Sequence, residues 1–203
     1  MRITTLLPWA IGVLSLAIAA LAAAYAIEAA FVQSAHPVSF LPLPLTAAYD
    51  AEAALSLDAD PVRAKAASMK ALAISPADAR AWLNLARLDA RPAGRLSPSG
   101  VADLERSYDM VPYDPQLIAD RVSLVYDHWS ELSSDIHEET LSEVRTAWPF
   151  ADQRNDVFAA AKQATSPTGK LALALEMFQL RMSSLVAKEP ALSRAAKTKP
   201  GRS

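Results

Sequence analysis

The chain contains no cysteine. That excludes disulfides, thiolate metal sites and cysteine nucleophiles together. Glycine numbers only five among 203 residues, so there is no Gly-rich loop to cradle a phosphate and no Gly-x-Ser-x-Gly elbow to present a serine. With none of this machinery present, the expectation is a non-catalytic chain that needs no cofactor. A basic excess is also missing. The formal net charge is −2, whereas nucleic-acid binding calls for a concentrated basic face. Alternating runs of β-branched residues are lacking too, while Ala and Leu abound, so the intrinsic preference is for helix throughout.

What the chain does have begins at its N-terminus. Leu6 to Ile27 carries no charged residue, and 22 residues of α-helix span roughly 33 Å, enough for a bilayer core. Arg2 precedes this run and Glu28 follows it. The positive-inside preference then leaves the N-terminus in the cytoplasm and exports the rest. We therefore expect residues 1–30 to be a single-pass inner-membrane anchor with the C-terminal part in the periplasm. The competing reading is a signal peptide cleaved after Ala26, since Ala24-Tyr25-Ala26 has the small-x-small form.

Residues 31–46 contain HPVSFLPLP, three prolines in nine residues, and read as a stiff extended spacer. Thereafter the chain repeatedly places Asp or Ser before Pro, at Asp60-Pro61, Ser75-Pro76, Ser97-Pro98, Asp114-Pro115 and Ser166-Pro167. The first residue suits an N-cap and the second the first helical position. Five helix starts are predicted at these pairs. Further helices are expected at about Ala47–Leu57, Asp135–Ala147 and Ala151–Ala164, making eight over residues 47–190. The helix near Asp135 has Glu138 three residues on, as in a capping box. Residues 191–203 are expected to form a basic, disordered tail.

Placing Pro76 over Pro115 brings Met69 onto Tyr108, Leu72 onto Val111, Ile74 onto Tyr113, Leu83 onto Val122, Leu85 onto Leu124 and Ala86 onto Val125. The segment resembles the tetratricopeptide repeat family. Trp82, Leu85 and Ala86 match the aromatic, Leu and small positions of the repeat's first helix. Ala64, Ala71 and Pro76 match the small positions and closing Pro of the preceding unit. The likeness covers roughly 47–130. In the second unit Arg121 stands where Trp is expected, and Asp103 and Met110 replace small residues. The expected fold is all-α: the transmembrane helix, then, as the resemblance implies, a degenerate tetratricopeptide-like helical-hairpin solenoid, with C-terminal capping helices. Concave repeat surfaces of this kind bind other chains.

Several side chains are candidates for function. His128 and His137 lie near Asp127, Asp135, Glu138 and Glu139, but their spacing of nine fits no i, i+4 metal pair, and no metal site is expected. Tyr126, Trp129 and Trp148 bracket the segment YDHWSELSSDIHEETLSEVRTAW. They read either as core packing or as anchors for a partner. This segment is similar to tetratricopeptide-like proteins that accompany envelope polysaccharide polymerases and O-antigen ligases, where a Trp-containing helix precedes an acidic helix ending near Trp. In a helix from about Thr168 to Lys188, Leu171, Leu175, Phe178, Met182 and Leu185 follow one another in steps of four and three, and Leu173, Met177 and Leu180 are read as widening that stripe. Such a face either packs across the end of the repeats or is covered by a second copy or a membrane protein. The partner-binding candidates are thus Tyr126, Trp129, Trp148, Phe178 and Met182.

Charge is unevenly distributed. Val101 to Asp156 holds 13 acidic and 4 basic residues, and Val157 to Ser203 holds 2 acidic and 8 basic. Either the halves face each other or simply solvate helices, or the tail residues Lys188, Arg194, Lys197, Lys199 and Arg202 reach anionic lipid, glycan or an acidic partner. The expected role is a membrane-anchored adaptor or assembly factor, bound to a protein partner in the inner membrane or periplasm and placed in envelope polysaccharide assembly or secretion. The alternative is a soluble periplasmic peptide- or glycan-binding module released by signal cleavage.

Overall fold

The computed structural model of the chain describes residues 19–24, 46–91 and 94–197, with side chains as far as Ser183. Within these residues all regular structure is helical. We number the helices α1 (Thr46–Ser56), α2 (Pro61–Ile74), α3 (Ala79–Ala90), α4 (Pro98–Met110), α5 (Ile118–Asp127), α6 (Ser134–Ala147), α7 (Ala151–Gln163) and α8 (Pro167–Lys197), with a 3-10 turn at Trp129–Glu131. Residues 19–24 are helical as well. The remainder of the expected membrane helix, and the spacer as far as residue 45, lie outside the described residues. Among the described residues no helix is long and apolar enough to cross a membrane.

Three of the five predicted starts fall where the Pro pairs put them. Asp60 accepts from the Arg63 N–H at 3.0 Å, Ser97 from the Gly100 N–H at 3.3 Å and Ser166 from the Gly169 N–H at 3.3 Å. The other two pairs form turns instead. Ser75 still belongs to the end of α2, its N–H donating to the Ala71 carbonyl, and Pro76 sits in the turn that follows. The cap of α3 is Asp78, whose carboxylate accepts the Arg80 and Ala81 N–H groups at 3.1 and 3.2 Å. Asp114 likewise closes a turn by accepting from Gln116, and α5 begins at Ile118. The start of α6 also differs from expectation: Ser133, not Asp135, accepts from the Ile136 N–H. At the far end, α8 continues to Lys197, beyond the expected stop at Lys188 and into the predicted tail.

The chain divides into two compact units, the first ending at Leu88 and the second starting at Asp89, inside the last turn of α3. In the first unit α1 lies against α2, and the buried residues there are small: Ala53 on one helix, Ala64, Ala67 and Ala71 on the other. Small side chains let the two axes come close. Ala71 and Leu72 then meet Ala81 and Leu85 of α3, with Tyr49 and Trp82 packed alongside. Trp82 satisfies its indole N–H on the Pro76 carbonyl at 2.9 Å, so the turn and the ring fix one another.

The second unit is built around α5. Ile118, Val122 and Tyr126 meet Val144 and Ala147 of α6, Val157 and Ala160 of α7 and Leu173 of α8 in one cluster. The loop before α4 is held from two sides. Asp89 accepts from the Ser97 N–H at 2.7 Å and from its hydroxyl at 2.9 Å, and Glu131 accepts from the Leu96 N–H at 3.0 Å. The start of α8 is pinned to the end of α5, where Asp127 accepts from the N–H and hydroxyl of Thr165 and from the Ser166 N–H. Gly169 follows, so close to α5 that an added Cβ would overlap the Tyr126 carbonyl oxygen. Only glycine lets the two backbones approach in this way.

Candidate interaction surface

Unit two spends its most reactive-looking polar groups on structure. Arg121 is fully buried, with Nη1 3.0 Å from Glu143 Oε1, while Nε and Nη2 donate to the Ser107 hydroxyl at 3.2 and 2.9 Å and Nη2 also reaches the Ser107 carbonyl. The guanidinium lies 4.4 Å from the centre of the Tyr108 ring. Tyr108 in turn donates to Glu143 at 3.3 Å and shares a hydrogen bond with Thr140 at 2.9 Å. Burial pushes the Glu143 carboxyl up from its ordinary range, and Arg121 pulls the other way. Burial, reinforced by Glu143, likewise holds the Tyr108 hydroxyl well above the usual phenol range. The network ties α4, α5 and α6 together, with every donor of the guanidinium fork directed inward.

The aromatic candidates follow the same logic. Tyr126 is fully buried in the core cluster, so its ring forms no part of the surface. Trp129 is half-buried and stacked between Tyr126 at 4.8 Å and His137 at 3.7 Å. His137 also bonds the Trp129 carbonyl through Nε2 at 2.9 Å, so its ring locks the 3-10 turn onto α6. His128 is buried, with Nδ1 3.5 Å from Glu131. Among the described residues no group of His, Asp and Glu is arranged to hold a metal ion. Trp148 is half-buried and packs edge-tilted on Phe158 of α7 at 5.7 Å.

The remaining two candidates belong to a different surface. At 100° per residue, positions two apart lie about 200° apart around a helix. Leu173 and Leu180 therefore do not widen the stripe of Leu171 and Leu175, as the sequence reading had it. They lie on the opposite side. The structure resolves α8 into two faces. Gly169, Leu173 and Glu176 are buried against the unit, with Met177 and Leu180 half-buried beside them. Leu171, Leu175, Phe178 and Met182 point outward and are 62, 54, 62 and 45 % exposed. Each face runs in steps of four, three and four.

The inner face includes an ion pair that fixes the helix's rotation. Glu176 is buried and accepts from Arg145 of α6 at 2.8 and 3.3 Å. The pairing holds the Arg145 guanidinium above its ordinary range. Turning α8 to bury the outer stripe would pull Glu176 away from this partner. The outer stripe is therefore held outward by contacts on the other side. Elsewhere the acidic segment crowds on itself. Glu139 of α6 is raised by its partial burial and then by Asp109 and Glu105 of α4.

Unit one holds one polar feature that the sequence reading missed. Asp50 of α1 lies beside Asp78, the cap of α3. Burial, and after it the Asp78 charge and hydrogen bond, raise its carboxyl to about 7 against a weaker pull from Arg80. No spacing rule connects residues 50 and 78; the packing of α1 near the α3 cap does.

The chain matches no family model, no curated protein and no solved structure.

Proposed function

We propose that the chain is a non-catalytic, membrane-anchored adaptor that docks through the outer face of α8. The observation that carries this is the exposed stripe of Leu171, Leu175, Phe178 and Met182, on the side of α8 opposite the face that Gly169, Leu173 and Glu176 pack against the unit. Contiguous apolar surface of this kind on a soluble domain marks an interaction site. The apolar run Leu6–Ile27 and the Pro-rich spacer support an anchored domain held off a membrane. The tetratricopeptide-like register around Trp82 supports a helical scaffold in which repeat hairpins stack. The acidic segment bracketed by Trp129 and Trp148 supports envelope polysaccharide assembly or secretion as the setting.

The experiment is crosslinking in intact cells and capture of the tagged full chain, run side by side with Phe178→Glu and with Val62→Glu, a change at a position on α2 that is 82 % exposed. One envelope machine captured by the wild type and by the Val62 variant but lost with the Phe178 variant is the expected result. Equal capture by all three overturns the reading. The second reading, a released periplasmic binding module, rests on Ala24-Tyr25-Ala26. Intact mass separates the two, because retention of residues 1–26 excludes release by cleavage there.

A further inference from the structure

The geometry points to a proton-operated latch in unit one: a proton shared between Asp50 of α1 and Asp78 at the cap of α3 holds α1 in its seat, and α1 comes free when that proton leaves. The inference goes beyond the adaptor reading and does not depend on it.

The seat of α1 is small. Its buried residues are Ala48, Ala53 and Ser56, so the helix brings little apolar area to its contacts, and eleven residues are too few to persist as an isolated helix in water. Toward α3 it offers Tyr49, packed on the cluster of Ala71, Leu72, Ala81 and Leu85, and next to it the Asp50 carboxyl beside Asp78. A helix seated in this way is the part of a unit that opens first.

The chemistry of the junction decides when it opens. Asp78 accepts the Arg80 and Ala81 N–H groups at 3.1 and 3.2 Å, a role that suits an ionised carboxylate. The shared proton therefore belongs to Asp50, as an O–H donated to Asp78. As an anion Asp50 lacks a donor, because its Oδ1 is shut off from water and receives no hydrogen bond among the described residues. The cations in reach do not cancel the pair. On α2, Arg63 pairs with Glu52 at 2.7 Å and Lys70 lies over the Tyr49 ring at 5.5 Å. On α3, Arg80 pulls against burial and Asp78 without overcoming them. Once ionised, Asp50 gains solvation only by leaving the junction.

The sign of the device follows. Burial first and Asp78 second raise the Asp50 carboxyl from 3.8 to about 7 in the seated helix, and a released α1 returns it to its ordinary range. The latch is therefore fully closed below about 4, weakens as pH rises and is spent once pH passes about 7. Release uncovers the small residues of α2, among them Ala64, Ala67 and Ala71, and adds α1 to the Pro-rich stretch that precedes it in the chain.

Amide hydrogen exchange of the detergent-solubilised full chain tests this, read at pH 5 and pH 8.5 and corrected for the intrinsic pH dependence of exchange. Protection over Thr46–Ser56 is expected to fall roughly tenfold between the two, while α2 and α3 change by less than about threefold. Asp50→Asn keeps a donor toward Asp78 at every pH and is expected to hold α1 protection level. Asp78→Asn still offers an oxygen to cap α3 and gives an ionised Asp50 an N–H, so it too is expected to remove the step. Protection of α1 that is the same at both pH values, or a step that survives either substitution, overturns the proposal. So does a loss shared equally by α1, α2 and α3, which would make the pair a contribution to the whole unit's stability and not a latch.

Discussion

Arg121 Nη1 and Glu143 Oε1 meet at 3.0 Å with neither side chain exposed. The pair lies where α5 and α6 cross, and Arg121 occupies the position at which the repeat register places a Trp. A large planar group still fills the site, now stacked over Tyr108 and anchored by charge instead of by an indole. Truncating one partner leaves the other charge buried alone. Arg121→Ala is therefore expected to cost about 3–5 kcal/mol in urea unfolding, whereas Arg121→Met combined with Glu143→Leu is expected to fall near wild type. A loss in the volume-conserving double change equal to that of Arg121→Ala would show that the charged hydrogen-bond network, not filled volume, holds this crossing.

Gly169 gives a sharper test of how α8 is seated. An added Cβ would overlap the Tyr126 carbonyl oxygen, and backbone cannot swing aside as a side chain can. Gly169→Ala should destabilise unit two by about 2–3 kcal/mol even though alanine favours helix more than glycine does. Thermal unfolding with protease sensitivity in α8 as the second readout checks this. A stabilised variant would mean that α8 sits elsewhere.

Much of this arrangement was legible because it is local. Asp60, Ser97 and Ser166 announce their helices, since capping needs only one oxygen and an N–H three residues on. Leu83, Leu85 and Ala86 have the same burial as their register partners Val122, Leu124 and Val125. The preceding helices do not agree in this way: Tyr108 is buried while Met69 is 53 % exposed. A register built on residue size cannot see that Tyr108 is drawn inward by Glu143 and Thr140. The two faces of α8 were misread for a related reason. Apolar residues two apart look like one broad stripe in a string of letters, yet helix geometry puts them on opposite sides. Asp50 and Asp78 could not be paired from sequence at all, because tertiary packing alone brings them together.

Asp127 offers a third test, at the junction it caps. It accepts from Thr165 through both N–H and hydroxyl, and from the Ser166 N–H. Asp127→Ala is expected to cost about 1–2 kcal/mol, with faster amide exchange confined to the first turn of α8. Exchange spread evenly over unit two would instead mean that the junction is no local cap.

The acid pair in unit one gives the chain a pH dependence whose sign can be worked out. Asp50 has its folded-state carboxyl raised from 3.8 to about 7, first by burial and then by Asp78, with Arg80 opposing. In the unfolded chain the same group releases its proton near 4. Between these values the native state holds a proton that the unfolded state has lost. The stabilisation is therefore complete below about 4, declines as pH rises and is gone once pH passes about 7. The carboxyl is only half-buried, so the loss is discounted for screening to about 1–2 kcal/mol. Glu143, also raised, contributes a slope of the same sign in unit two, which is why the comparison must isolate Asp50. Asp50→Asn mimics the protonated form at every pH. It should match the wild type at pH 4 and exceed its stability by that margin at pH 8, as read from urea midpoints. An asparagine variant that tracks the wild type across the whole range would show that the carboxyl titrates normally beside Asp78.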